Sequence, residues 1–163
     1  MEYVIRRMEP AEYPLLNDFL YQAIFLPEGT APPPYDIIRQ PELQIYTADF
    51  GSSPHDRAFA AIVGRRVIGA VWVRIMEDYG HIDADTPSFA ISLYPEYRAH
   101  GIGSALMQTM LADLRSAGYR QASLSVQKAN YAAKMYQKLG FQIVAETDEE
   151  YIMRYELRRE KPL

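Results

Sequence analysis

The sequence predicts a three-layer α/β/α fold, in which one mixed β-sheet carries helices on both faces. Runs rich in β-branched and apolar residues alternate with segments whose apolar residues recur at helical spacing, in the order β-α-α-β-β-β-α-β-α-β-β. This order contains both hairpins and strand–helix–strand units, which is typical of mixed sheets in layered folds. A chain of 163 residues is expected to form a single domain over residues 1–163.

The first half of the chain predicts one strand, two helices and a hairpin. The strand covers residues 3–8, and a helix with Pro10 in its first turn continues towards Pro27. Residues 26–34 are too rich in proline for a helix or strand and predict an ordered loop. A second helix is predicted within residues 37–50. The β-rich runs 57–63 and 67–76 flank Gly64 and predict a hairpin whose second strand lies near the centre of the sheet.

The second half begins with an acidic connection, residues 77–86, before an apolar strand at 89–93. A long amphipathic helix follows and is expected to end at Gly118. A strand over 121–126 precedes a helix over 130–139, with Asn130 as its N-cap and Gly140 as its stop. Strands over 141–146 and 151–157 complete the predicted sheet.

The composition argues against several functional classes. The chain has no cysteine, so it has no disulfide framework or thiolate nucleophile, and its three histidines show no metal-ligand spacing. A net charge of −4 argues against broad nucleic-acid binding. No apolar run approaches the length of a membrane span, and the first residues lack a signal-peptide pattern. We therefore expect a cytoplasmic protein with no metal, nucleic-acid or membrane partner.

Residues 89–114 have the pattern of an anion-binding elbow. A strand leads through Gly101 and Gly103 into a helix, whose first N–H groups lack intrahelical partners. The glycines would let a phosphate approach the backbone closely. A dinucleotide fingerprint fails because Leu106 stands where a third glycine is needed, and a P-loop fails because no lysine follows the glycines. A turn with glycines for packing alone remains the alternative.

Two motifs resemble those of the GCN5-related N-acetyltransferase (GNAT) superfamily. Residues 98–104, RAHGIGS, are similar to its [Q/R]-x-x-G-x-[G/A] pyrophosphate loop. Downstream, SVQKANYAAKMYQKLGF is similar to a second pattern, in which an Asn precedes a Tyr within two helical turns and a Gly-Phe follows. The element order also resembles that family along essentially the whole chain. The resemblance implies the acyl-CoA N-acyltransferase fold, with acetyl-CoA as the acetyl donor.

The resemblance also implies roles for the matched residues. In the family the fourth strand splays from the fifth, which places main-chain atoms of this segment beside the pantetheine arm. Asn130 fits both a cofactor contact and an ordinary N-cap, while Arg98 and His100 are also compatible with simple surface exposure. The implied cofactor-binding residues are Ile91, Ser92, Leu93, Arg98, Ala99, His100, Gly101, Ile102, Gly103, Ser104 and Asn130.

Tyr136 is the residue that the resemblance implies as general acid. Acetyl transfer to an amine expels the CoA thiolate, which benefits from a proton donor within hydrogen-bond reach. The family often uses a tyrosine at this helical position for that purpose. The alternative is a packed aromatic residue on an amphipathic helix.

The general base is harder to assign, because strand 89–93 has no carboxylate where the family usually has one. Loops over the end of a rigid sheet often carry binding groups, so the acidic connection is where a base is expected. Glu77, His81 and Asp83 are the candidates chosen, and His81 has the most suitable ordinary pKa. A solvated acidic loop is the alternative interpretation. Other nearby titratable residues are Glu28, Asp78 and Asp85.

The leading hypothesis is direct acetyl transfer from acetyl-CoA to a primary amine in a ternary complex. The acceptor would be a small molecule or a peptide, and the sequence does not identify it. A non-catalytic acyl-CoA sensor and a protein-interaction module on the same fold are the alternatives. The sequence also leaves open whether other acyl groups are used. Dimers are common in the family, so a homodimer is one oligomeric state left open.

Overall fold

A single mixed sheet of seven strands organises the protein. The computed structural model describes residues 1–158. The strands are β1 Val4–Arg7, β2 Arg57–Val63, β3 Arg66–Arg74, β4 Ser88–Leu93, β5 Gln121–Gln127, β6 Gln142–Glu146 and β7 Glu150–Glu156. Their order across the sheet is β1-β2-β3-β4-β5-β7-β6, and every neighbouring pair is antiparallel except β4 and β5. The α-helices are α1 Leu16–Gln22, α2 Pro41–Gln44, α3 Ile102–Ser116 and α4 Ala132–Leu139.

Helices cover both faces of this sheet, as the three-layer prediction requires. Because side chains alternate along a strand, β2 directs Phe59 towards one apolar core and Ala60 towards another. Helices α3 and α4 pack into the first core, and α1 packs into the second. Trp72 of β3 is fully buried in the second core. Strands and α-helices follow one another in the predicted order.

The N-terminal helix differs from its prediction at the start. Residues Pro10–Leu15 form a 3-10 helix, and the α-helix begins only at Leu16. Pro14 lies inside the first segment and has no N–H to donate, which explains why the α-helical hydrogen-bond pattern starts after it.

The second predicted helix is much shorter than expected. A 3-10 helix spans Tyr35–Arg39, and α2 comprises Pro41–Gln44. Side chains of β3 take the carbonyls that a longer helix would use: Arg74 donates to the oxygens of Ile45 and Ala48, and Trp72 donates to that of Tyr46. Residues 41–50, the α2 segment, therefore continue after the helix as turns that are hydrogen-bonded to the sheet.

Local stop signals were predicted more accurately. Gly118 follows α3 with φ +92°, and Gly140 follows α4 with φ +117°. The N–H of Phe141 donates to the oxygen of Tyr136, which completes the C-terminal turn of α4. Strand β3 ends at Arg74, two residues before the predicted Met76. Within residues 1–158, no helix is long and apolar enough to cross a bilayer.

Candidate active site

The central feature of the site is the separation of β4 from β5. These parallel strands share one register pair, Ser88 with Ser123, supported by a 3.0 Å bond from the Ser123 N–H to the oxygen of Pro87. Beyond this pair a cleft of about 320 Å³ lies between them. Its walls are Leu20, Ala23, Ile24, Phe25, Leu43, Tyr46, Tyr79, Phe89, Ala90, Ile91, Leu124, Ser125, Val126, Gln127, Asn130, Tyr136 and Glu150.

Main-chain polar groups of β4 face this cleft at alternate residues. The N–H of Tyr94 donates to the oxygen of Ile68 on β3, so Tyr94 and every second residue before it face β3. Ile91 and Leu93 consequently direct their N–H groups towards β5. Ser92 differs from its neighbours, because its main chain faces β3 and its buried hydroxyl donates to the oxygen of Phe19, and its role in cofactor binding remains a prediction.

The loop after β4 forms a tight elbow before α3. Gly101 caps the helix with φ +81°, and Ala99 also has a left-handed conformation, with φ +63°. Turns of this type present successive N–H groups to an anion. Ile102 is fully buried, so its side chain anchors the helix and only its backbone can serve a ligand. Ala99 and His100 are exposed, and Ser104 is half-buried.

Arg98 ties the elbow to its neighbours. Its Nε donates to the main-chain oxygen of Leu93 at 3.1 Å. One terminal nitrogen donates to both the main-chain oxygen and the side-chain oxygen of Gln22. The guanidinium group thus links the end of β4 to the end of α1. The Arg98 side chain is therefore held by protein oxygens, and part of its donor capacity is already used.

The second motif lies against the first. A methyl group at Gly103 would lie 3.8 Å from the sulfur of Met135, so the first turn of α3 packs beside α4. The prediction of Asn130 as the N-cap is wrong, because α4 begins at Ala132 and Tyr131 is the residue that precedes it. The side chain of Asn130 accepts a bond from the N–H of Ala132 and so stabilises the turn that leads into the helix. Asn130 also lines the cleft.

The position of Tyr136 is compatible with both interpretations given for it, and the acid role remains a prediction. It is 8% exposed and packs edge-on against Phe141, with ring centroids 6.0 Å apart. It also lines the cleft, and burial alone raises its pKa to about 12. The phenol is therefore protonated at neutral pH and faces the space between β4 and β5.

None of the three candidate bases belongs to the residues that line the cleft. Glu77 is exposed, and a ring nitrogen of His81 lies 2.9 Å from the oxygen of Met76. Asp83 accepts a bond from the hydroxyl of Thr86, which lowers its pKa and makes it a weaker base. Asp83 also contacts Gln121 at the start of β5, whereas the cleft lies at the other end of that strand.

Most cleft residues were not predicted as site residues from the sequence, and Tyr46, Tyr79 and Glu150 are among them. The hydroxyl of Tyr46 donates to Asp78 at 3.1 Å, and the hydroxyl of Ser88 donates to the other oxygen of that carboxyl group. Burial raises the pKa of Asp78 and that of Tyr46. Tyr46, Tyr79 and Glu150 come from distant parts of the chain, and the fold brings them together at the cleft.

This geometry agrees with a comparison against known families. The model of the acetyltransferase (GNAT) family matches residues 20–141. The chain belongs to the GNAT family. The expected family and its three-layer fold are thereby confirmed.

Individual relatives of this GNAT protein are distant. A mycothiol acetyltransferase from Thermobispora bispora is 35% identical over 77 residues, which are 46% of this chain and 26% of that protein. The matched stretch therefore spans about a quarter of the relative's length.

Solved structures resemble the GNAT protein over nearly its whole length. The ribosomal-protein-S18-alanine N-acetyltransferase of Escherichia coli gives a TM-score of 0.68 at 17% identity, covering 98% of this chain and 97% of that chain. A PaiA N-acetyltransferase from Thermoplasma acidophilum, solved in complex with coenzyme A, gives 0.70 at 18% identity and covers 96% and 99%. An N-acetyltransferase from Staphylococcus aureus gives 0.71 at 18% identity and covers 97% and 100%.

Proposed function

We propose that this GNAT protein transfers the acetyl group of acetyl-CoA to a primary amine in a ternary complex. The observation that carries the proposal is the cleft between β4 and β5, whose walls bring together Ile91 with its N–H directed towards β5, Asn130 and Tyr136. The names of the relatives support the same activity, since each describes an acetyltransferase.

The donor set of the site fits an acyl-CoA. The N–H groups of Ile91 and Leu93 have no partner strand beyond the Ser88–Ser123 pair and suit the amide oxygens of a pantetheine arm. The elbow at residues 99–104 offers N–H groups at the positive end of a helix, where a pyrophosphate is stabilised. Arg98 holds this elbow in position, and Asn130 adds an amide to the wall of the cleft.

Acetyl-CoA supplies an acyl group activated as a thioester. As the bond between the amine nitrogen and the acyl carbon forms, the carbon–sulfur bond breaks and a thiolate leaves. Tyr136 gives its phenolic proton to that sulfur and is reprotonated by a proton from the amine. An ammonium group loses two protons in forming the amide, so one is left for solvent after the thiolate has taken the other.

The structure weakens the case for the alternative function, a non-catalytic acyl-CoA sensor. It rested on the lack of a carboxylate on strand 89–93, but Glu150 brings a carboxylate to the same cleft from β7. A small-molecule amine and a peptide amine both remain acceptors under this proposal. A cytoplasmic location and a homodimer remain predictions.

The test is a thiol-release assay with acetyl-CoA and a panel of amines. We expect saturable release of CoA that depends on both substrates, with a reaction lacking amine as the control. Acetyl-CoA binding without release for every amine would favour the sensor. A thermal-shift titration in which acetyl-CoA causes no stabilisation would instead favour the interaction module.

A further inference from the structure

The cleft has a single charged wall residue among those the structure describes, and that residue is Glu150. Glu150 begins β7 and lies opposite Gln127 at the end of β5. The side-chain amide of Gln127 donates to its carboxylate at 3.0 Å, which fixes the direction of the group. The carboxylate is therefore held in place at the wall of the cleft.

This carboxylate has no ion-pair partner among residues 1–158. It is half-buried, and charges removed from water are normally paired. Burial raises the pKa of Glu150, followed by the repulsion of the neighbouring Glu149. A bound cation would relieve both effects. The group thus has the environment of a receptor for an ammonium ion.

The walls of the cleft that come from the first half of the chain are apolar and aromatic. Ile24 and Phe25 follow α1, Leu43 and Tyr46 belong to the α2 segment, and Tyr79 comes from the acidic connection. Tyr46 and Glu150 line the same cleft, so an amine bound there would have both an aromatic ring and the carboxylate in its walls. Aromatic rings beside a carboxylate suit an amine attached to an apolar body.

The size of the cleft limits that body. Its volume of about 320 Å³ is near the lower end for small-molecule pockets, roughly 300–1,000 Å³. The acetylated end of the donor must share this space. A small acceptor therefore fits better than a large one.

We propose that the acceptor is a small primary monoamine on an apolar or aromatic body, with its ammonium group bound by Glu150. This proposal rests on the proposed function. The carboxylate takes one proton from the ammonium group, leaving a neutral amine and a protonated carboxyl, and later returns the proton to solvent. A zwitterionic amino acid is disfavoured because no lysine or arginine among the described wall residues meets its carboxylate. A polyamine is disfavoured because its further charges would face apolar walls.

Matched pairs of acceptors test the substrate class. Phenethylamine and phenylalanine differ by a carboxylate, and hexylamine and spermidine differ in the number of ammonium groups. We expect kcat/KM for each monoamine to exceed that of its partner at least about tenfold. A preference for phenylalanine, for spermidine or for a peptide whose only charge is its N-terminal ammonium group would overturn the proposal.

Glu150→Gln tests the residue itself, with Glu156→Gln as the matched control. The glutamine keeps the shape of the side chain and can still accept the bond from Gln127. We expect Glu150→Gln to lower kcat/KM for phenethylamine at least about tenfold, by raising KM through the lost counter-charge and lowering kcat through the lost proton acceptor, without changing acetyl-CoA affinity. Glu156 lies at the other end of β7, is exposed and is not part of the cleft wall, so its variant should stay within about twofold of the parent. Equal effects of the two substitutions would overturn the assignment.

A binding measurement separates this proposal from the proposed function. Phenethylamine is titrated into the complex of the protein with CoA, and binding is followed by NMR. If no amine supports thiol release, the proposed function fails, but weaker phenethylamine binding by Glu150→Gln than by the parent still supports the ammonium site. Undetectable binding to the parent, or equal binding to both proteins, overturns it.

Discussion

At the scale of single residues, Tyr136 combines a packed ring with a position in the wall of the cleft. Its ring belongs to the core on the α3–α4 side of the sheet, and its position on α4 also brings it to the cleft. Burial raises its pKa to about 12 and keeps the phenol protonated, which a proton donor requires. The contact with Phe141 limits movement of the ring.

Tyr136→Phe is predicted to lower kcat about 100-fold or more while leaving acetyl-CoA affinity nearly unchanged. The substitution removes the proton donor but keeps the ring and its packing. Steady-state kinetics and a thermal-shift titration with acetyl-CoA measure the two effects. Tyr131→Phe is the control, because Tyr131 is 80% exposed and near the same helix. A kcat unchanged by Tyr136→Phe would remove the acid role.

At the scale of secondary-structure elements, Arg74 fastens the α2 segment to the sheet. Its side chain forms an ion pair with Asp56 at 3.0 Å, and the two side chains are 10% and 1% exposed. It also donates to the oxygens of Ile45 and Ala48. The clamp therefore positions Tyr46, which lies between those carbonyls and lines the cleft.

Arg74→Met is predicted to lower the free energy of unfolding by about 3–5 kcal/mol, because Asp56 would stay buried without its cation. Urea denaturation followed by circular dichroism measures the change. Arg66→Met is the comparison: Arg66 pairs with Glu96 at 3.5 Å on the surface, with side chains 58% and 56% exposed. That exposed pair should contribute about 1 kcal/mol or less. Similar losses in both variants would contradict the clamp.

The elements also show which parts of the fold a sequence can reveal. The ends of α3 and α4 were predictable because Gly118 and Gly140 act through their own backbone conformations. The short length of α2 was not predictable, because the carbonyls of Ile45 and Tyr46, just beyond its end, accept hydrogen bonds from β3 side chains. Local signals were informative wherever no distant side chain competed for the same hydrogen bonds.

At the scale of the whole molecule, the sheet divides the site into a predictable and an unpredictable part. The elbow and α4 are continuous motifs, so their residues could be placed on the sequence. Glu150 reaches the cleft only because β7 pairs with β5 in a register that sets it opposite Gln127. Nothing near Glu150 in the chain signals that pairing, which is why the candidate bases were sought in the acidic connection.

Amide hydrogen exchange is predicted to respond to CoA along β4 in an alternating pattern. Ile91 and Leu93 face the gap and should gain protection, up to about 100-fold when CoA is present at 100 times its Kd. Ala90 and Ser92 already bond to β3 and should change less. Residue-resolved NMR measures these rates. ADP, which lacks the pantetheine arm, should leave Ile91 and Leu93 unaffected, and a uniform response along β4 would contradict this arrangement.

The main-chain character of the β4 edge and the elbow has a consequence for divergence. Every residue except proline offers the same N–H, so a site built from backbone donors tolerates substitution of most of its side chains. Under the proposed function, selection on cofactor binding would constrain the path of the chain and a few glycines, and little else. The cleft walls that come from the α1–α2 region and β7 consist of side chains and can then change independently. A protein of this design can drift to 17–18% identity with its structural neighbours while retaining TM-scores of 0.68–0.71.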